Sequence, residues 1–357
     1  MLRRLALAAS ALLFGCPVAE PTDAPVAESC FVDPSVELVG VVSWPNPCPW
    51  GRDCGITEYL AVPEQFPGAL TPRTDLDATF AAQRSGQWPM DSVGEAELAE
   101  RILASTRVDL LLDGITERPL EVGLLDESTD YSWRGEWEGR HPEDMPNRQY
   151  YVEDPVVGGF EFVVFRPPSS YGPGPFPAVV VAHGHGDGAW SHAARGDFAE
   201  AFTEAGYLVV IPTMRASEGD VPETTVTRGL LEAGFSTLAI RMYETLLARR
   251  IVTVLPDVDP CAPVGLVGHS GGSVSSNLLI RVAPLELGFD AYVSDLTSEY
   301  LNWSPDEGTL LDETVPELFS VWPALARLDL APVDTLQVGY GYPEGIEPLL
   351  DFFDERL

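Results

Sequence analysis

The rhythm of apolar positions changes near residue 146. Beyond it, Pro177 to Ala182 and Tyr207 to Pro212 are apolar on both faces, the pattern of strands buried between two layers. Val264 to Val267, Ala291 to Ser294 and Thr335 to Val338 continue the series, and Gly159 to Phe165 reads as a strand at its edge. Between these runs, Phe198 to Ala205 predicts a helix. Leu230 to Leu255 predicts one or two amphipathic helices, with Leu238, Met242, Leu246 and Val252 near helical spacing. Strands alternating with helices argue for the α/β class: a mostly parallel, doubly wound sheet with helices on both faces and right-handed crossovers. Upstream the pattern is mixed. Val36 to Val42, Val108 to Leu112 and Leu120 to Leu124 read as strands, Gly114 as the turn between the last two, and Glu95 to Ala104 as a helix, so residues 30–145 predict a small β-rich accessory region.

At the N-terminus, Arg3 and Arg4 precede an apolar stretch from Leu5 to Gly15, too short to span a bilayer and typical of a secretory signal. Leu13-Phe14-Gly15-Cys16 resembles the cleavage box of bacterial lipoproteins, which implies a signal peptide over residues 1–16, lipidation of Cys16 and a place in the cell envelope. An ordinary signal with a fortuitous cysteine is the alternative. Residues 17–29, rich in Pro, Ala, Thr and acidic side chains, predict a flexible linker.

Composition narrows the partners. Against 55 acidic side chains stand 21 basic ones, a net charge of −34 that repels phosphate backbones and anionic membranes. This excludes nucleic acid as a partner and leaves a membrane contact only through a lipid anchor. Every basic residue is Arg, which removes Lys-based Schiff-base and Walker chemistry. Neither a G-x-G-x-x-G opening a helix after a strand nor a G-x-x-x-x-G-K occurs, so no nucleotide cofactor is expected. With Cys16 set aside, Cys30, Cys48, Cys54 and Cys261 allow three pairings; Cys48 with Cys54 and Cys30 with Cys261 is preferred, the first bracketing a turn-rich loop. A structural zinc is the rival, disfavoured by the cysteine spacing and by the lack of a nearby His, and no metal is expected.

The chemistry concentrates at Ser270, in Gly268-His269-Ser270-Gly271-Gly272, between the apolar run ending at Val267 and a helix-like segment through Ile280. A bare G-x-S-x-G is weak; here its place between strand and helix predicts a sharp turn that lifts the serine oxygen above a parallel sheet. Val179 to Gly186, with His183-Gly184-His185-Gly186, then Gly206 to Arg215, then Val258 to Gly272, occur in an order that resembles the α/β-hydrolase family. The likeness is strongest to its secreted dienelactone-hydrolase-like, acetyl-xylan-esterase-like and prolyl-oligopeptidase-like branch, and covers roughly residues 150 to 345.

The resemblance implies acyl transfer to Ser270, with an oxyanion held by the backbone of Gly271 and of the loop at Gly184 and His185. It implies Glu344 as the acid, with Asp295 as the fallback, a hydrolase domain over 146–357, and a small-molecule carboxylic ester as substrate. His269 is expected to pack beside the nucleophile, and Arg215 and Glu218 to lie near the pocket mouth, as substrate-steering groups or as a local salt bridge. The family order of serine, acid, histidine is broken: the five histidines are His141, His183, His185, His192 and His269, and none follows Ser270. Three explanations stand: a truncated reading that omits the last strand and helix, which is the favoured one; a degenerate hydrolase retained as a surface binding protein; or an upstream histidine serving by another geometry. A serine peptidase-like acyl hydrolase is the further alternative. Oligomeric state is not legible.

Overall fold

The computed structural model describes residues 32–42, 56–84, 93–126, 147–186, 188–194, 198–214, 220–295, 314–325, 327–328 and 331–357, and Phe31–Leu357 form one compact unit. Strand β1 (Val36–Val41) is followed by helices α1 (Ile56–Ala61), α2 (Leu76–Arg84) and α3 (Glu95–Thr106) and the single turn α4 (Asp109–Leu112). Strands β2 (Leu120–Asp126), β3 (Asn147–Asp154) and β4 (Gly158–Phe165) come next. The alternating part then runs β5 (Ala178–Ala182), α5 (Ala189–Ala194), α6 (Phe198–Glu204), β6 (Leu208–Pro212), α7 (Asp220–Glu232) and α8 (Thr237–Val252). It continues through β7 (Val264–Gly268), α9 (Gly271–Val282), β8 (Ala291–Ser294), α10 (Trp322–Leu325), β9 (Asp334–Gln337) and α11 (Glu347–Asp354).

The nine described strands form one sheet, in the order β1-β2-β3-β4-β6-β5-β7-β8-β9. From β6 to β9 every pair is parallel, whereas β3 and β4 run antiparallel to their neighbours. Period-two alternation divides the core between two faces. Ala178, Val180, Leu208, Val210 and Leu266 point to one face, with α8 and α9; Val179, Val181, Val209, Ile211 and Val267 point to the other, with α5, α6 and α11. Phe353 of α11 lies directly on Gly265, where a Cβ would sit 2.6 Å from the ring.

Four expectations change. Gly159 to Phe165 is interior, paired with both β3 and β6; β3 itself, with the polar residues Asn147, Gln149 and Asp154 among its buried positions, escaped the pattern. Val108 to Leu112 is helical, because Leu111 meets the core through one turn of α4 rather than along a strand. Residues 32–126 do not form a separate body: they are largely helical, and β1 and β2 extend the common sheet. Helix α8 is buried around its circumference, Arg249 being its one residue outside the buried set, and its charged side chains are internally paired. Among the described residues no helix is long and apolar enough to cross a membrane. The expectations for residues 1–16 and 17–29, for Cys16, Cys30, Cys48 and Cys54, and for Arg215 and Glu218 lie outside the described residues.

Candidate active site

Strand β7 sits between β5 and β8, so its C-terminal end opens in the middle of the parallel half of the sheet. Ser270 turns the chain there into α9 with φ 51° and ψ −122°, a backbone region that L side chains occupy only under strain. Close packing enforces the corner. A Cβ on Gly272 would lie 2.0 Å from the Ala182 carbonyl oxygen of β5, and one on Gly184 would lie 2.8 Å from Ser270 Cβ. The loop at 183–186 is therefore seated directly against Ser270.

One carboxylate ties the corner together. Asp295, immediately after β8, accepts from the Ser270 N–H at 2.8 Å, the Ser273 hydroxyl at 2.9 Å, the Gly341 N–H at 3.1 Å and His269 Nδ1 at 2.5 Å. Burial by itself would raise its pKa, but the His269 hydrogen bond and charge, together with the Gly341 and Ser270 N–H groups, hold it below its ordinary value of 3.8. His269 is 1 % exposed and packs among His192, Tyr340 and Tyr342, with ring centroids 5.1, 5.5 and 5.8 Å away. It packs beside Ser270. The loop after β9 thereby docks on the corner through Gly341 and Tyr340. Glu344 in the same loop is exposed and makes no hydrogen bond or ion pair among the described residues. The carboxylate brought to Ser270 is Asp295, and it holds that residue's own backbone N–H.

The histidines of the preceding loop have separate tasks. Met214 N–H donates to His183 Nε2 at 3.0 Å, which places the ring hydrogen on Nδ1, donating to the Gly184 carbonyl at 2.9 Å. His183 thus laces the loop to the segment after β6. His185 instead lays its ring on Gly271, where a Cβ would be 2.2 Å from Cε1, and its Nε2 is 3.2 Å from Glu223 Oε1. Glu223, on α7 and 1 % exposed, also faces the fully buried Arg241 of α8 at 3.5 Å. Sequence reasoning passed over this pair; the signal was a cation within the apolar run Leu238 to Leu247. Gly271 opens α9, and its N–H donates to no described residue, so it is available to an incoming oxyanion.

No family model matches the sequence, and no curated protein matches it. Among solved structures the chain is similar to a putative acetyl xylan esterase from Bacteroides fragilis (15% identity, TM-score 0.49, covering 77% of this chain and 79% of that one). It is also similar to an acetyl xylan esterase from Paenibacillus sp. R4 (12% identity, TM-score 0.44, 83% and 99% covered). A dienelactone hydrolase from Anabaena variabilis is a further neighbour (19% identity, TM-score 0.34, 55% and 90% covered).

Proposed function

We propose that this chain is a carboxylic-ester hydrolase working through an acyl-enzyme on Ser270. The observation that carries the reading is the strained φ of 51° at a serine between the central strand β7 and helix α9, with Gly184 packed on its Cβ side. Ser270 Oγ adds to the ester carbonyl, and the Gly271 N–H, aided by the backbone at Gly184 and His185, receives the developing negative charge. Asp295 holds the Ser270 N–H and so fixes the turn; it serves as a positioning residue in place of Glu344. The substrate class is a small ester, and its acyl group depends on pocket shape rather than on the corner.

The test uses a fluorophosphonate probe and a short-chain nitrophenyl ester on the purified protein. Labelling and turnover are expected, with Ser270→Ala abolishing the label and lowering turnover by about three orders of magnitude or more. An unlabelled parent with turnover equal to that of Ser270→Ala would leave only a binding role for the scaffold.

The same proposal includes export with lipidation at Cys16 and disulfides Cys48–Cys54 and Cys30–Cys261. Incorporation of a labelled fatty acid that Cys16→Ala removes, and non-reducing peptide mapping, test these two points.

A further inference from the structure

We infer that His183 is a positioning residue for acyl transfer, one that fixes which way the Gly184–His185 peptide faces over Ser270, an inference that rests on Ser270 being the nucleophile. That peptide lies across the corner. A Cβ on Gly184 would meet Ser270 Cβ at 2.8 Å and His269 Cδ2 at 3.1 Å, and one on Gly271 would meet His185 Cε1 at 2.2 Å, so residue 184 covers the serine and residue 185 the glycine after it. The backbone there does not choose its own direction. Gly184 has no side chain to restrict its ψ, and Gly186 follows at φ 70°, so the loop's own conformational preferences leave the sense of this peptide open.

The ring of His183 makes the choice. It is fully buried, and the Met214 N–H donates to its Nε2 at 3.0 Å, so the ring hydrogen sits on Nδ1 and is donated to the Gly184 carbonyl at 2.9 Å. Met214 is a firm reference point, because the N–H just before it, that of Thr213, donates to the Glu161 carbonyl of β4 at 2.9 Å. Strand order then gives the direction. Strand β5, which ends at Ala182, lies between β6 and β7; the His183 ring reaches to the segment after β6, and Ser270 stands at the end of β7. The Gly184 carbonyl, held on that ring, points to the β6 side. In a trans peptide the N–H of His185 points the opposite way, to the side of Ser270.

The consequence is electrostatic. One peptide carries a dipole of about 3.5 D, and its positive end faces the corner where the ester oxygen gains charge as Ser270 Oγ adds to the carbonyl carbon. The carbonyl's negative end is turned away. A flipped peptide would oppose the same charge. His183 itself neither gives nor takes a proton; it acts through the Gly184 carbonyl, and its work is complete before the ester binds.

Rescue by side chains that replace one ring bond at a time tests the inference, in the full-length protein with nitrophenyl acetate as probe. His183→Ala should lower kcat by about 10²-fold or more, the usual worth of one oxyanion contact, with KM little changed because the charge exists only in the transition state. The amide nitrogen of His183→Asn falls near the place of Nδ1 and renews the hold on Gly184, whereas the amide oxygen of His183→Gln falls near the place of Nε2 and renews only the bond from Met214. Asn should recover most of the lost kcat and Gln little of it, at similar urea midpoints, since each regains one buried hydrogen bond. For a merely structural part, kcat would follow the midpoint. Parent kcat in well-folded His183→Ala, or a Gln variant that equals or exceeds the Asn variant, overturns the inference while Ser270-dependent turnover keeps the nucleophile. Where the variants fold poorly, a neutron crystal structure of the parent decides: deuterium on Nδ1 alone is expected, and deuterium on Nε2 overturns the inference. Parent turnover that is absent, or that does not depend on Ser270, overturns both.

Discussion

Gly272 and Gly184 flank the same serine, yet a methyl group at each meets different resistance. At Gly272 it would press to 2.0 Å on the carbonyl oxygen of a central strand, with only backbone to give way. Gly272→Ala is therefore expected to cost about 3 kcal/mol or more, or to prevent folding, as read from a urea melt. At Gly184 the methyl would meet first a side-chain atom, Ser270 Cβ, at 2.8 Å. Gly184→Ala should keep most of the stability and lose most of the proposed turnover, since it displaces the Ser270 side chain; the reverse ranking of the two variants would mean that the corner is not held from β5. The strain at Ser270 gives an independent measure. Both Ser270→Gly and Ser270→Ala remove the hydroxyl, but only glycine accepts φ 51° without penalty. The glycine variant should be the more stable by about 1 kcal/mol in denaturant midpoints, and equal stabilities would show that the turn is relaxed. This corner was legible in the sequence because its five residues are contiguous. The Glu223–His185 contact joins residues 38 apart on two elements, and no local pattern reports it.

At the scale of elements, α8 shows why periodicity misled. Its sequence alternates apolar residues with Arg241, Glu244 and Arg250, which reads as one face in water, yet each of these charges is buried with a partner: Arg241 with Glu223, Glu244 with Tyr59, Arg250 with Asp33. The strand β4 likewise reads as an edge strand, yet β3 pairs beyond it, a strand whose polar residues Asn147, Gln149 and Asp154 are buried. Paired polar groups are invisible to a hydrophobic pattern. The Arg250–Asp33 pair has the clearest mechanical role. Its guanidinium donates to Asp33 at 2.6 Å, to Ser35 at 2.6 Å and to the Arg118 carbonyl at 2.8 Å, so one side chain of α8 clasps both the entry to β1 and the entry to β2. Asp33→Ala leaves a buried cation unmatched and should cost about 3–5 kcal/mol. The double variant Asp33→Ala with Arg250→Met should recover part of that loss. Hydrogen exchange should quicken first in β1 and β2 of the single variant; uniform quickening across the sheet would show that the pair does not serve these strands in particular.

For the molecule as a whole, two electrostatic effects of opposite sign compete. The net charge of −34 works against any compact state through self-repulsion among surface carboxylates, a term that salt screens. Inside, Asp33 and Asp295 need their charge. Burial opposes ionisation of Asp33, but hydrogen bonds from Arg250 and Ser35 hold its pKa below 3.8, and His269 leads the groups that do the same for Asp295. A carboxylate whose folded pKa is depressed stabilises the fold at pH above its unfolded value and loses that contribution as pH falls through the folded one. Glu95 runs the other way. Burial raises it above 4.5 against the pull of Arg281, so its protonation on acidification favours the folded chain. At pH 7 the surface term governs the response to salt, because exposed charges are screened and the buried pairs are not. Raising sodium chloride from about 0.02 to about 0.5 M, which shortens the Debye length from about 20 to about 4 Å, should raise the Tm by several degrees. Below pH 3.8 the interior governs, and the urea midpoint should fall steeply as Asp33 and Asp295 protonate. Asp33→Asn separates the two effects in one titration: the variant starts less stable at pH 7, shows the same rise with salt, and has a shallower acid limb than the parent. Parallel acid limbs would leave Asp33 without a part in the acid loss.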